Sequence, residues 1–492
     1  MLSPSRSLSH FMGIDPVRRQ SLISLASTIS LTMAGFVATM YFTHVLGKAT
    51  YGAYALFLAY YGIFNLIGDG GFGGAAVKRI SEGSERNEYF TAFLVLRVFL
   101  LAASVTALLA LRPFIDDLQG EGMLFWLVLA LVIGVFSGVT GNGVYGEGKV
   151  GVNQSGGLLN NLVKILLQVV AVFLGYGAAG LVGGFVAGLF AGGIFNFKFL
   201  TLRPAWFTWR HLRNLSTFSF WIFLASSGVI VFSHVDTVLI GYFMTDADVG
   251  VYQIAFQFTT AAAFTTTALR TTLYPKISRW HADRHLGWIV NALSRAFTYA
   301  LLLAVPVAVG GWILGERLLY FFYGAGFAEG AAVLGILLLV QVVNVFMYLQ
   351  TMALNALDRP RESFHATGTA AVVNIVLDLA LIPTLGIEGA AIATLVTMLV
   401  NAAIARHYLS KQIAVSIERG PTLHILLAAG AMALVVLAYC ALIPLSNVFL
   451  VLAAVVLGGT VYGLVLLKTD RGIHDELRDL VVQLGVPWPR WL

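Results

Sequence analysis

The stretch MLFWLVLALVIGVFSGVTGNGVY, residues 123–145, contains no charged side chain. At 1.5 Å of rise per residue such a helix covers about 34 Å, enough to cross the roughly 30 Å hydrocarbon core of a bilayer. Lipid offers no hydrogen bonds to a bare backbone, so a segment of this kind must coil into a helix that satisfies its own peptide groups. Similar segments extend outward in both directions. With 123–145 they are 18–45, 51–77, 89–111, 152–174, 178–200, 215–242, 249–273, 288–314, 331–357, 364–382, 387–409, 423–443 and 446–467. The pattern predicts an all-α polytopic membrane protein of about 14 transmembrane helices. Composition agrees: 58% of residues are hydrophobic, 11% are charged and mean hydropathy is +0.84, where soluble domains carry roughly 25% charged residues.

Charge sets the expected orientation. An even number of spans puts both termini on one side, and of the 30 basic residues, 23 fall in segments on that side, from Arg6 to Arg490. The opposite loops hold only Lys48, Arg112 and Arg317, and Arg97, Lys164, Arg270 and Arg295 fall within spans. Positive residues stay cytoplasmic, so both termini are expected in the cytoplasm. The net charge of +6 then reports orientation and attraction to anionic headgroups rather than nucleic-acid binding. Cys440 is the only cysteine, which excludes disulfides and thiolate metal sites within one chain. The first seventeen residues lack an apolar core and a small-residue cleavage site, so the first helix is expected to direct insertion.

An internal repeat is also visible. Gly52-Ala-Tyr54 followed by Lys78-Arg-Ile-Ser81 recurs as Gly250-Val-Tyr252 followed by Pro275-Lys-Ile-Ser278. Gly143-Val-Tyr-Gly-Glu-Gly-Lys149, Asn161 and Leu174-Gly175 recur as Asn355-Ala-Leu-Asp-Arg-Pro-Arg361, Asn374 and Leu385-Gly386. Six helices keep the parity of insertion, so the repeats are expected to form two pseudo-symmetric six-helix lobes enclosing a cavity. The expected organisation is a cytoplasmic tail (1–17), an N-lobe (18–200), an interfacial linker (201–214) and a C-lobe (215–409). Two extra helices (410–467) and a cytoplasmic amphipathic tail (468–492) complete it.

Val45-Leu-Gly47 with Tyr51-Gly-Ala-Tyr54, Asp69-Gly-Gly-Phe72 leading to Lys78, Asp236-Thr-Val-Leu-Ile-Gly241 with Val249-Gly-Val-Tyr-Gln-Ile-Ala255, and Leu385-Gly-Ile-Glu-Gly-Ala-Ala391 resemble the polysaccharide transporter family. That family includes O-antigen and other lipid-linked oligosaccharide flippases, within the multidrug/oligosaccharidyl-lipid/polysaccharide exporter superfamily. The resemblance covers nearly the whole chain. It implies a flippase that carries a polyprenyl phosphate- or pyrophosphate-linked sugar from the cytoplasmic to the outer face by alternating access.

Charges inside a span cost a few kcal/mol each on insertion scales, so each one is a candidate for function. Arg97 is expected about 12 Å into the third helix and Lys164 about 18 Å into the fifth. With Arg270 near the inner end of the eighth, and with Lys78 and Arg79 at the inner mouth, they form the candidate cationic site for a phosphorylated headgroup. Snorkelling and interfacial anchoring are the competing structural roles. Asp69, Asp236 and Asp378 are candidate coupling or gating acids, able to take a proton or sodium ion or to serve as structural acceptors. The repeat suggests Lys164 and Asp378 as a pair across the cavity. Gln341, Asn344, Gln350 and Asn355 are candidate sugar contacts or interhelical hydrogen bonds. Gly184, Gly188 and Gly192 form a ladder for close helix packing. Gly141 to Gly146 has phosphate-loop spacing, but Glu147 stands where lysine is required, so no nucleotide is expected.

No cofactor, metal site or catalytic residue is expected; membrane potential is a third source of drive. Expected partners are the bilayer and the lipid-linked glycan, with a functional monomer that associates with glycan-synthesis proteins. A multidrug antiporter of the related branch is the transport alternative. A glycan polymerase or ligase is the enzyme alternative and needs a sizeable outer loop with catalytic residues.

Overall fold

The computed structural model describes residues 16–114 and 122–483, and among these no strand occurs. The helices are α1 (Pro16–Asp69), α2 (Phe72–Ser81), α3 (Arg86–Leu111), α4 (Met123–Gly146), α5 (Val150–Phe173), α6 (Gly177–Phe199) and α7 (Trp209–Phe243). They continue with α8 (Asp246–Ala282), α9 (Leu286–Tyr323), α10 (Ala331–Ala356), α11 (Pro360–Ser410), α12 (Arg419–Leu442), α13 (Val448–Thr469) and α14 (Arg471–Gln483). Nine helices among the described residues are long and apolar enough to cross a membrane. The all-α membrane fold is therefore as expected, and α3 to α6 match the expected spans to within three residues at either end. Most of the N-terminal tail and the end of the chain at Trp488 and Trp491 lie outside the described residues.

Glycines with left-handed backbone divide the longest helices. α1 contains Gly47 at φ 74° and α11 contains Gly386 at φ 63°, each joining two helical segments. Side chains rarely adopt such angles, so glycine is the residue that lets the chain turn there. At Gly70 and Gly71, with φ of 55° and 75°, the helix breaks: α1 ends at Asp69 and α2 restarts at Phe72.

The chain forms two compact units. The first comprises residues up to Leu46 together with Ile67–Ile222, and the second comprises Gly47–Leu66 with Phe223–Leu492. Residues 47–66, drawn into the N-lobe from sequence, therefore group with the second unit. The reason is backbone packing. A Cβ on Gly52 would fall on the Asp246 carbonyl, and one on Gly250 would fall on the Lys48 carbonyl. These glycines are the repeat-related pair of the sequence. Each meets the residue four positions before the other, a reciprocal crossing that brings α1 and α8 into backbone contact. Leu56 against Gly241 and His234 against Gly62 extend the seam.

In the first unit, a core of Ala75, Ala76, Ile80, Phe90, Phe93, Val139 and Leu215 joins α2, α3, α4 and α7. The 201–208 linker is tied to this unit. The Arg203 amide donates to Asn87 Oδ1 at 3.0 Å, the Ala205 amide donates to Thr91 Oγ1 at 2.9 Å, and Arg210 pairs with Glu85. In the second unit, a larger core runs through α8 to α13. Its amphipathic tail helix α14 is anchored by Glu476, which accepts from Arg295 and Tyr299. Asp470 Oδ2 accepts from His424 at 2.9 Å, and Oδ1 accepts the Ile473 amide at 3.1 Å. Burial alone would push the Asp470 carboxyl up, but these hydrogen bonds outweigh it and hold the group below its ordinary value.

Candidate functional site

In the first unit, the polar residues gather on α5. At 100° per residue, Asn153, Asn160, Asn161, Lys164 and Gln168 fall within one face roughly 100° wide, a polar stripe on a membrane-crossing helix. The glycine ladder of α6 packs beneath it: a Cβ on Gly184 would strike Gln168, one on Gly188 would strike Asn160 and Lys164, and one on Gly192 would strike Asn160 and the Gly156 carbonyl. Gln168 is consumed structurally, donating to the Leu181 carbonyl at 2.7 Å. Lys164 is half-buried and donates to Asn161 Oδ1 at 3.1 Å. One neutral acceptor leaves the other ammonium donors for an anion.

Arg97, on α3, is 2% exposed, and its Nη1 donates to Asp69 Oδ1 at 2.7 Å. Gly138 makes room for the guanidinium, with a Cβ position 3.1 Å from Nη2, and Gly73 does the same for Asp69 and Asn142. The Asp69 side chain is 30% exposed, so the pair is closed on the arginine side and open on the carboxylate side. Of the inner-mouth cations, Lys78 is exposed and Arg79 pairs with Glu82 at 3.0 Å.

In the second unit, Asp236 of α7 and Asp378 of α11 come together, at 6% and 0% exposure. Tyr252 Oη donates to Asp236 Oδ2 at 2.6 Å, and Thr394 Oγ1 lies 2.7 Å from the same oxygen. Asp378 and Asp236 are close enough to act on one another electrostatically, with no hydrogen bond between them. Asp236 Oδ1, both oxygens of Asp378 and the Asn374 amide have no protein hydrogen-bond partner. Two deeply buried carboxylates that act on one another favour uptake of a proton or a small cation. The donors are all oxygen, from carboxylate, amide and hydroxyl, which suits a hard cation rather than a transition metal. No cluster of three or more His, Cys, Asp or Glu occurs among the described residues.

The remaining candidates are spread through the second unit. Arg270 is exposed, with its guanidinium 5.5 Å from the Tyr348 ring centre. Gln341 donates to Thr259 Oγ1 at 3.0 Å and Asn344 donates to Gln341 at 3.2 Å, tying α10 to α8. Gln350 is 3% exposed, and among the four candidate sugar contacts Asn355 alone is exposed. Gly175 and Gly386, both left-handed, mark equivalent turns of the repeat. Lys164 lies eleven residues before the first and Asp378 eight before the second, so they differ by nearly one helical turn. Sequence reasoning missed Tyr252, Thr394, Asn153, Asn160 and Gln168 as site residues. The signal was present, since polar residues at helical spacing in apolar segments need partners or a cavity.

A two-unit helical membrane bundle with buried polar clusters is the architecture of a transporter. Residues 42–332 match the family described as "Polysaccharide biosynthesis protein", and the chain belongs to that family. It is 28% identical over 474 residues to the "Probable flippase AglR" of Haloferax volcanii, covering 94% of this chain and 98% of that one. It is 26% identical to the "Probable low-salt glycan biosynthesis flippase Agl15" of the same organism, covering 78% and 81%. Among solved structures, its fold is similar to "Lipid II flippase MurJ, inward closed conformation", with a TM-score of 0.79 and 17% identity over 94% of this chain and 100% of that one. A multidrug resistance MATE family transporter in an inward-facing conformation matches at a TM-score of 0.65 and 16% identity, over 77% and 95%.

Proposed function

We propose that this protein is a flippase that carries a lipid-linked sugar or oligosaccharide across the membrane. The polar head passes through the protein while the prenyl chain stays in lipid, and no covalent bond changes. The observation that carries the proposal is the α5 stripe, a membrane-crossing helix with a half-buried ammonium and three asparagines on one face. Lipid disfavours such a face, and a phosphorylated headgroup with sugar hydroxyls suits it. The name of the Haloferax relative Agl15 supports a glycan cargo, and that of AglR supports a flippase. The basic residues support movement from the cytoplasmic to the outer face, with cytoplasmic termini. Arg97, Arg270, Lys78 and Arg79 serve that headgroup as further cations, with Asn355 at the inner end of α10. The protein works as a monomer beside glycan-synthesis proteins.

The Asp236–Asp378 pair is the coupling site, taking a proton or sodium ion. Asp69 acts by holding Arg97. A drug antiporter is the second reading, supported by the MATE-like fold, but the cations on membrane helices favour an anionic cargo.

The test is movement of a fluorescent polyprenyl diphosphate-linked glycan across proteoliposomes holding the purified full-length protein. Translocation faster than in protein-free vesicles, and lowered by Lys164→Ala, is expected. Transport of a cationic dye without transport of the glycan overturns the proposal. Imposed sodium and proton gradients, applied separately, identify the coupling cation.

A further inference from the structure

The buried polar groups of the second unit do not end at the carboxylate pair. Beyond Gly386, α11 carries Thr394, Thr397 and Asn401 at spacings of three and four residues. This is one helical face, and the residues are 8%, 0% and 1% exposed. Thr394 touches Asp236 Oδ2. The Thr397 hydroxyl and both amide atoms of Asn401 have no protein hydrogen-bond partner. Continuing along the face, Ala405 adds only a methyl group, and Leu409 reaches a cavity of about 60 Å³ that it lines with Gln350, Arg406 and Ser410. Gln350 Oε1 is a further buried oxygen without a protein partner. At 1.5 Å per residue, Asn401 lies about 10 Å from Thr394 along the helix and Leu409 about 22 Å.

A buried hydroxyl or amide left unpaired in an apolar surrounding costs on the order of 1–3 kcal/mol by mutational measures, so buried polar groups are normally paired with protein or ordered water. Leaving two residues of one stripe unpaired, on a helix that could carry valine and leucine there at no such cost, makes sense only if something polar runs alongside. Hydroxyls and amides both donate and accept, so they can hold water without trapping an ion as a carboxylate would. Arg406 at the mouth is solvent-exposed, where water and salt screen its charge.

We propose that Thr397 and Asn401 line a hydrated path within the second unit, along which the small monovalent cation travels between the Asp236–Asp378 pair and the Arg406 end of α11. The inference rests on the reading of that pair as the coupling site and adds the route that serves it.

The chain lends itself to a direct test, because Cys440→Ser removes its only cysteine. In that background, Thr397→Cys and Asn401→Cys are compared with Ala428→Cys, which sits at 0% exposure in the apolar core of the same unit. Full-length variants in proteoliposomes are exposed to silver ion, a monovalent cation near sodium in size, and then unfolded so that surviving thiols are counted with a fluorescent maleimide. Silver is expected to consume the Thr397→Cys and Asn401→Cys thiols at least tenfold faster than the Ala428→Cys thiol. Equal rates overturn the path.

A second measurement does not depend on a thiol. Asn401→Leu is expected to slow cation-driven translocation at least tenfold, with Asn401→Ser restoring at least half of the loss; parent rates in Asn401→Leu also overturn the path. The two failures are distinct. An inert Asn401→Cys thiol in a cation-dependent protein defeats the path alone. A reactive thiol in a protein whose translocation ignores both sodium and proton gradients defeats the coupling reading.

Discussion

Arg97 gives Nη1 to Asp69 across 2.7 Å, joining the third membrane helix to the last residue before the Gly70–Gly71 break. The arginine is almost wholly enclosed while the aspartate keeps 30% of its side chain open. Removing one member strands the other. Arg97→Ala is therefore expected to destabilise the protein, though by less than the about 3–5 kcal/mol of a fully buried pair because the remaining Asp69 is partly open, read as a lower Tm of the purified protein. Arg97→Met with Asp69→Leu should recover much of that stability without recovering translocation. If the double variant flips glycan at the parent rate, the pair is only a structural strut.

Lys164 makes the opposite prediction. It is half-buried and holds a single neutral partner, so Lys164→Ala should leave Tm nearly unchanged. Loss of a charge-assisted contact to cargo, at about 1.5–3 kcal/mol, predicts translocation slowed by roughly tenfold or more. Initial rates in proteoliposomes across a range of glycan-lipid concentrations provide the check.

For the carboxylate pair, Asp378→Asn should abolish the response of translocation to an imposed cation gradient, and Tyr252→Phe should weaken it by removing the donor to Asp236 Oδ2. Rates measured with and without the gradient separate loss of coupling from loss of fold.

The Asp470 junction predicts a pH dependence. Its folded-state carboxyl titrates below the ordinary value, so it contributes stability that is fully present above about pH 4 and is lost as pH falls through the folded-state value. Protease release of α14, followed from pH 7 downward, should rise sharply in that acid range. Asp470→Asn should release it more readily already at neutral pH, with a flatter profile.

The glycine crossing predicts intolerance at two distant positions. A Cβ at Gly52 or Gly250 meets backbone, which cannot swing aside as a side chain can. Gly52→Ala and Gly250→Ala should each cost at least about 1–3 kcal/mol, measured as Tm and as yield of monodisperse protein. Gly35→Ala, with open space at the Cβ position, is the neutral comparison.

Most of this fold is legible in the sequence, because long apolar runs admit one solution in lipid and the glycine motifs recur in register. The kinks at Gly47 and Gly386 fall at motif glycines for the same reason. Contacts made over long separations are less legible. Asp236 and Asp378 stand out singly as charges in spans, but nothing local says that Asp378 meets Asp236 rather than a cation. Arg97 stands out as a buried cation, and its partner Asp69 is hidden behind a helix break. The unpartnered atoms of Thr397 and Asn401 emerge only when the neighbouring helices are in place.

Synthesis meets the crossing of Gly52 with Gly250 in an awkward order. The first glycine emerges from the ribosome 198 residues before the second, which at about 5–20 residues per second is a wait of roughly 10–40 s. Throughout that interval, residues 47–66 sit in the bilayer with a bare backbone groove facing lipid or a provisional neighbour. Nascent chains stalled before residue 246 should therefore be clients of membrane chaperones and quality-control proteases, and those stalled after α8 has emerged should escape them.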